Sequence, residues 1–345
     1  MKTISFFDTK PYDKEYIEKE AKNYPYEIIF HEEKLNKKTA VLAQGSDAVC
    51  AFVNDDLSED TLKALEKIGV GMIAMRCAGY NNVDFKYAYG KIHVARVPAY
   101  SPYAVAEHAM GMLLTLNRKL HRAYNRIREY NFSLNGLTGF DIHGKTIGVI
   151  GTGKIGRIFM DICSGFGVNI ICYDPYPVKD SNYHYVSLEE IFQQSDIISL
   201  HCPLSKESHH IINENSLNQM KNGVFIINTS RGALIDSEAL LEAVKSRKVG
   251  AAALDVYEEE ADLFYEDNSN KIIQDDVLAR LISMPNVLVT SHQAFLTHEA
   301  LSNIASTTMK NLDEYFKEEF LENEVCYHCL KDPSECHKKM KKSCF

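Results

Sequence analysis

Residues 149–157 read "VIGTGKIGR". A β-branched run enters glycines at 151, 153 and 156. With this G-x-G-x-x-G spacing a backbone can turn tightly, approach a pyrophosphate and open a helix. The pattern is weak by itself. Here a strand-like run, "TIGVI", precedes it, a helical pattern follows, and the next apolar run, "NIICYD", ends in Asp174. A carboxylate about twenty residues past the glycines accepts dinucleotide ribose hydroxyls and repels a 2′-phosphate. Only Pro175 and Tyr176 come next, with no arginine, so Gly151, Gly153, Gly156 and Asp174 point to NAD rather than NADP.

Outward from this turn the pattern stays regular. "TIGVI", "NIICYD", "IISLHC", "VFIINTS", "AAALDVY" and "NVLVTSH" are six strand candidates, most of them separated by helical spacers such as "SLEEIFQQSD". Near-continuous apolar strands with helical crossovers predict a doubly wound parallel sheet covered on both faces. Toward the N-terminus, "TISFFD", "YEIIF", "DAVCAFV", "VGMIAM" and "IHVARV" predict a smaller α/β unit. Between the two series, "SPYAVAEHAMGMLLTLNRKLHRAYNRIREY" reads as one long helix with Pro102 in its first turn. It is apolar enough to bridge two domains or to pack on a second subunit.

At 345 residues the chain suits two domains. A net charge of −9 argues against nucleic acid or an anionic membrane surface as partner. Asp8 comes too early for a signal peptide's apolar region, and no apolar run approaches a membrane span, so a cytoplasmic protein is expected. Cys50, Cys77, Cys163, Cys172 and Cys202 are scattered singly, as reduced buried thiols are.

Ligands of an open α/β sheet lie beyond the carboxyl ends of its strands. The fourth candidate of the second series runs into Thr229, Ser230 and Arg231, the fifth into Asp255 and Glu260, and the sixth into His292. Singly, each has an ordinary explanation: surface pairing, one charge in a run of three, a helix cap. Together beside a dinucleotide turn they form a set with one chemistry. Delivering hydride to a ketone leaves charge on oxygen that a positioned acid must neutralise, and His292 can be that acid. Glu260 would favour its imidazolium and orient the ring. Arg231 offers a planar fork for a carboxylate and polarises the neighbouring carbonyl. The set describes reduction of a 2-oxo acid.

The chain resembles the D-isomer-specific 2-hydroxyacid dehydrogenases, and within them the fermentative D-lactate type, from about residue 1 to residue 325. The stretches that carry the likeness are "RCAGYNNVD", "VPAYSPYAVAEHA", "GKTIGVIGTGKIG", "HCPLSKES", "NTSRGALID", "LDVYEEE" and "NVLVTSHQAFLT". The resemblance implies the same roles for Arg231, Glu260 and His292. It implies cofactor contacts from Lys154, Ile155, Cys202, Pro203, Thr229 and Asp255, with Ser230 and Arg231 beside them and Asp255 at the nicotinamide carboxamide. It implies substrate contacts from Ala78, Gly79 and Tyr100. It also implies a flavodoxin-like substrate domain (1–100 and 299–325) into which a dinucleotide domain (101–298) is inserted, the two closing over the nicotinamide. A homodimer, or in some members a tetramer, follows, with the Ser101-led helix at its interface.

Pyruvate is the expected substrate, with an aromatic 2-oxo acid such as phenylpyruvate as the alternative; Tyr80 and Phe295 are candidates for the side-chain wall. A non-enzymatic NAD sensor would need peptide-docking or basic tracts, and the acidic balance offers little for either. A hydrolase built on Ser230, His292 and Asp255 lacks a G-x-S-x-G elbow and leaves the glycine turn unexplained. Beyond the resemblance, residues 326–345 carry Cys326, Cys329, Cys336 and Cys344 with His328 and His337. Cys326 and Cys329 make the C-x-x-C that is the usual first half of a zinc site, but the second half is irregular, so a reduced tail is expected, with a bound structural zinc as the alternative. No catalytic metal is expected, because Arg231 and His292 already supply the charge and the proton.

Overall fold

A computed structural model describes residues 1–179, 181–260 and 263–328 of the chain. Two units emerge: Met1–Ser101 with a returning segment that begins at Leu296, and Pro102–Phe295.

In the first unit the N-terminal apolar runs are strands. β1 (Lys2–Phe6), α1 (Pro11–Ala21), β2 (Tyr26–Phe30), β3 (Ala48–Ala51), α2 (Glu59–Lys67), β4 (Met72–Met75), α3 (Phe85–Ala88) and β5 (His93–Arg96) follow in order. The strands form one parallel sheet, β2-β1-β3-β4-β5. Ile4, Phe6, Cys50, Met72 and Ala74 pack beneath Ile17 of α1.

The second unit contains α4 (Pro102–Arg118), α5 (Leu120–Arg128), β6 (Thr146–Ile150), α6 (Lys154–Ser164), β7 (Asn169–Tyr173), α7 (Leu188–Gln194), β8 (Ile197–Leu200) and α8 (Glu214–Gln219). It continues through β9 (Val224–Asn228), α9 (Ser237–Lys245), β10 (Val249–Leu254), α10 (Asp276–Ser283) and β11 (Val287–Val289). All six strands are parallel, in the order β11-β10-β9-β8-β6-β7. Burial explains why these strands were apolar almost throughout. Met110, Leu113, Phe159 and Met160 cover one face, and Ile191, Leu217, Leu240 and Leu281 lie in the core cluster of the other. The last helix, α11 (His298–Phe316), returns to the first unit, where Ala305, Met309 and Leu312 join its core. Thr297 caps it, accepting from the Ala300 amide.

The stretch from Ser101 is not one helix. Lys119 takes φ 52° between α4 and α5. Phe140 N donates to Asn117 Oδ1 and Asn117 Nδ2 donates to Phe140 O, so a later loop seizes the end of α4. A Cβ on Gly139 would lie 2.6 Å from Asn117 O, so only glycine lets that loop come so close. A left-handed lysine costs about 1–2 kcal/mol, which these ties offset. Cys329 and the cysteines after it lie outside the described residues.

Candidate active site

The order of the second sheet reverses between β6 and β8, and the glycine turn follows β6 at that switch point. Its three glycines serve different ends. Gly151 has φ 98°, and a Cβ there would sit 2.6 Å from Cys202 N and from His201 C. A Cβ on Gly156 would strike Gly151 O, so this glycine lets α6 pack on the turn. At Gly153, the residue capping α6, a Cβ would meet nothing within 4 Å. That open ground lies before the first amides of α6, including those of Lys154 and Ile155, where a helix favours a phosphate. Asp174 ends β7. Its Oδ2 accepts from Thr152 N (2.7 Å) and Thr152 Oγ1 (3.1 Å), and Oδ1 accepts from Tyr176 N (2.9 Å). The carboxylate therefore braces the turn, and Oδ1, which accepts a single bond, still has a lone pair for a ribose hydroxyl.

The proposed chemical groups follow the three neighbouring strands β9, β10 and β11. His292 Nδ1 and Glu260 Oε1 are 2.7 Å apart, both side chains about four-fifths buried. Glu260 Oε2 accepts from Tyr257 N (3.0 Å), which fixes the carboxylate behind the ring. Nδ1 is thereby engaged, leaving Nε2 as the nitrogen that can pass a proton to a substrate. His292 has φ 52°, unusual for a residue with a side chain. Asp255 holds it there: its carbonyl accepts from His292 N (2.7 Å), its Oδ1 from Gln293 N (2.9 Å) and its Oδ2 from Ala294 N (2.9 Å). Arg231 is half-buried, and its Nη1 donates to Ser230 O (2.7 Å). Asn228 locks the turn around it, donating to Arg231 O and accepting from Ser230 N. Ser230 Oγ donates to Cys202 O (2.6 Å), tying this turn to the one after β8 that holds Pro203.

Residues 110–294 match the family described as D-isomer specific 2-hydroxyacid dehydrogenase, NAD binding domain. The chain is 53% identical to D-lactate dehydrogenase of Escherichia coli strain K12 over 326 residues, 93% of this chain and 99% of that one. The chain belongs to the D-isomer-specific 2-hydroxyacid dehydrogenases. Its fold superposes on the apo-structure of D-lactate dehydrogenase from Escherichia coli with a TM-score of 0.85, covering 94% of this chain and 99% of that one at 50% identity. For the pyruvate reductase of Chlamydomonas reinhardtii the TM-score is 0.88 at 41% identity, covering 94% and 98%.

The residues present fit the NAD of a D-2-hydroxyacid dehydrogenase. In addition to the open face of Gly153 and the braced Asp174, Thr229 Oγ1, at the end of β9, is buried with no hydrogen-bond partner. Asp255, which the resemblance places at the nicotinamide carboxamide, also braces the His292 turn. Its side chain has no exposed surface, and Thr290 Oγ1 (2.6 Å), His108 Nε2 (3.4 Å) and two backbone amides surround the carboxylate. Burial pushes its pKa up, but the hydrogen bonds from His108, Thr290 and Ala294 and the charge of His292 prevail and hold the carboxyl below the usual carboxylate range. It is a positioning residue for the His292 turn.

Sequence reasoning missed His108, which lies within the quoted "AVAEHA" but reads there as one polar residue on an apolar helix. It also missed Tyr265, whose hydroxyl donates to His292 O (3.2 Å), and Asn228. Only the fold brings these three to their partners. In the first unit, Arg76 of "RCAGYNNVD" is buried and donates to Phe7 O (2.9 Å) and Asp8 O (2.6 Å), so it is scaffold. Arg96 Nη1 donates to Ala78 O (2.7 Å), Cys77 Sγ donates to Gly79 O (3.2 Å), and Tyr100 O accepts from Asn303 (2.6 Å). Of the wall candidates, Tyr80 lies under the Arg96 guanidinium at 4.9 Å and Phe295 is buried. Among the described residues no helix is long and apolar enough to cross a membrane.

Proposed function

We propose that this enzyme reduces pyruvate to D-lactate in the cytoplasm, with Arg231, Glu260 and His292 as the catalytic set. The observation that carries this is the 2.7 Å Glu260–His292 pair on the sheet edge shared with Arg231 and the glycine turn. Bound NADH supplies the hydride. Arg231 grips the substrate carboxylate as a fork and draws electron density toward the carbonyl oxygen. His292 hands the proton on Nε2 to that oxygen as charge develops, and Glu260 steadies the imidazolium and its tilt. Ala78 and Gly79 contribute backbone amides to the substrate carboxylate, and Tyr100 lines the pocket. Lys154, Ile155, Cys202, Pro203, Thr229 and Ser230 face the cofactor, and Asp174 takes the ribose hydroxyls.

The assembly we propose is a homodimer, which can pair again as a tetramer. None of the residues of α5 is buried, and Leu120, Tyr124 and Ile127 form an apolar stripe on it, 54–62% exposed. Phe132 and Leu134 extend the apolar surface. A patch of this kind marks an interface.

The test is kcat/KM for pyruvate and phenylpyruvate, each with NADH and NADPH. Pyruvate with NADH should be the best pair by at least about tenfold. Preference for phenylpyruvate would assign the aromatic substrate, equal use of NADPH would overturn the role of Asp174, and no turnover would overturn the enzyme reading.

A further inference from the structure

We propose that His209, His210 and Glu258 form a binding site for a divalent transition-metal ion, with zinc the best match. The two segments involved run next to those of the catalytic set without belonging to it, Glu258 standing two residues before Glu260. His209 and His210 lie in the loop between β8 and α8, and Glu258 in the turn after β10. One ligand atom from each side chain lies within 4.8 Å of the other two, and this is the one such cluster among the described residues.

Two of the three ligands are already placed. His210 Nε2 and Glu258 Oε1 are 2.5 Å apart. His210 is held at both ends of its backbone, its N–H donating to Ala233 O (2.9 Å) and its carbonyl accepting from Asn213 Nδ2 (2.8 Å). Consecutive side chains of an extended chain point to opposite sides. Here His210 has φ 50°, and the two imidazoles stack with centroids 3.9 Å apart, so both present nitrogen to one region. Glu258 Oε2 accepts from Ser237 N (3.4 Å), the outer tie that orients a ligating carboxylate.

The donor set selects the ion. Two imidazoles and one carboxylate suit zinc and its neighbours, whereas magnesium and calcium prefer oxygen alone. At bonds of about 2.0–2.1 Å, ligand atoms of a tetrahedral site stand roughly 3.3 Å apart. The His210–Glu258 pair opens by under an ångström and gives up the proton it shares. His209, which is exposed, swings in from within 4.8 Å. Water completes the fourth position. The proposal stands independently of the substrate.

The experiment titrates the full-length protein with Zn2+ against a chromogenic chelator, comparing wild type with His209→Ala. Both proteins carry the same C-terminal cysteines, so any zinc bound there cancels in the comparison. His209→Ala should weaken one zinc equivalent by at least about tenfold while kcat and KM without metal stay as in wild type. In parallel, Cu2+ bound to the wild type should show splitting from two nitrogens by electron paramagnetic resonance, reduced to one in the variant. Identical zinc affinity and stoichiometry in the two proteins would overturn the site. So would a wild-type Cu2+ spectrum with no coupled imidazole nitrogen, whether or not the variant folds.

Discussion

After β6 the chain turns by leaving atoms out, and after β11 it turns by adding ties. Gly151 adopts φ 98° and Gly156 lets a helix press on a carbonyl, because neither has a side chain to obstruct. His292 adopts φ 52° with its imidazole in place, because one buried aspartate accepts the amides of three successive residues. A surface that meets a dinucleotide needs room and backbone donors. A ring that must deliver a proton needs its direction fixed to a fraction of an ångström. The first requirement is met by composition and the second by buried polar bonds, so the two turns should fail in different ways.

Breaking the second turn produces the larger effect. His292→Ala removes the proposed proton donor and should lower kcat about 10²–10⁴-fold, with the Kd of NADH nearly unchanged by fluorescence titration. Asp255→Asn keeps the ring and loosens its support. Because one carboxylate oxygen becomes an NH2 facing a backbone N–H, the turn shifts. Misplacement by about 1 Å costs up to about 10²-fold. This loss should fall on kcat with the KM for NADH retained, and Tm should drop. A raised KM for NADH with kcat intact would instead give Asp255 the direct cofactor contact.

Breaking the first turn should leave the proton donor alone. Gly151→Ala meets backbone at 2.6 Å in a conformation that alanine resists, so it should cost about 1–3 kcal/mol of stability together with NADH affinity. Gly153→Ala meets nothing in the protein itself, so Tm should hold while the KM for NADH rises. Equal Tm losses in the two variants would show that the open face at Gly153 serves the fold rather than the ligand.

The same contrast explains what could be read in advance. The eleven strands were legible because buried parallel strands must be apolar along their length, and the glycine turn because its geometry is a spacing. The pairing of Glu260 with His292 was legible because the ends of neighbouring strands share an edge. The break at Lys119 was not, since it depends on Asn117 meeting residues 139 and 140 rather than on a local glycine or proline. Nor was the confinement of Asp255. Its partners His108 and Thr290 come from a helix far earlier in the chain and from the end of another strand, and only the packed sheet brings them together.

The smallest expected effect probes what lies beneath the glycine turn. His201 follows β8, and its carbonyl carbon would meet a Cβ placed on Gly151. Its Nε2 contacts Ser199 Oγ at 2.9 Å, its ring approaches Phe159 at 4.8 Å, and its Nδ1 is buried without a partner. Burial pulls its pKa from 6.5 down to about 3. The folded protein therefore holds this histidine neutral across a range in which the unfolded chain would protonate it. The stability this contributes is complete above pH 6.5 and is lost as the pH falls toward about 3. His201→Gln has no proton to gain. Its Tm should lie below wild type at pH 7 yet fall less between pH 6.5 and 4.5, so the two curves converge on acidification. Calorimetric scans at matched ionic strength would show this, and parallel curves would mean that the ring is protonated or solvated in the fold. Convergence would show that this turn, built by omission, rests on a side chain that must stay uncharged.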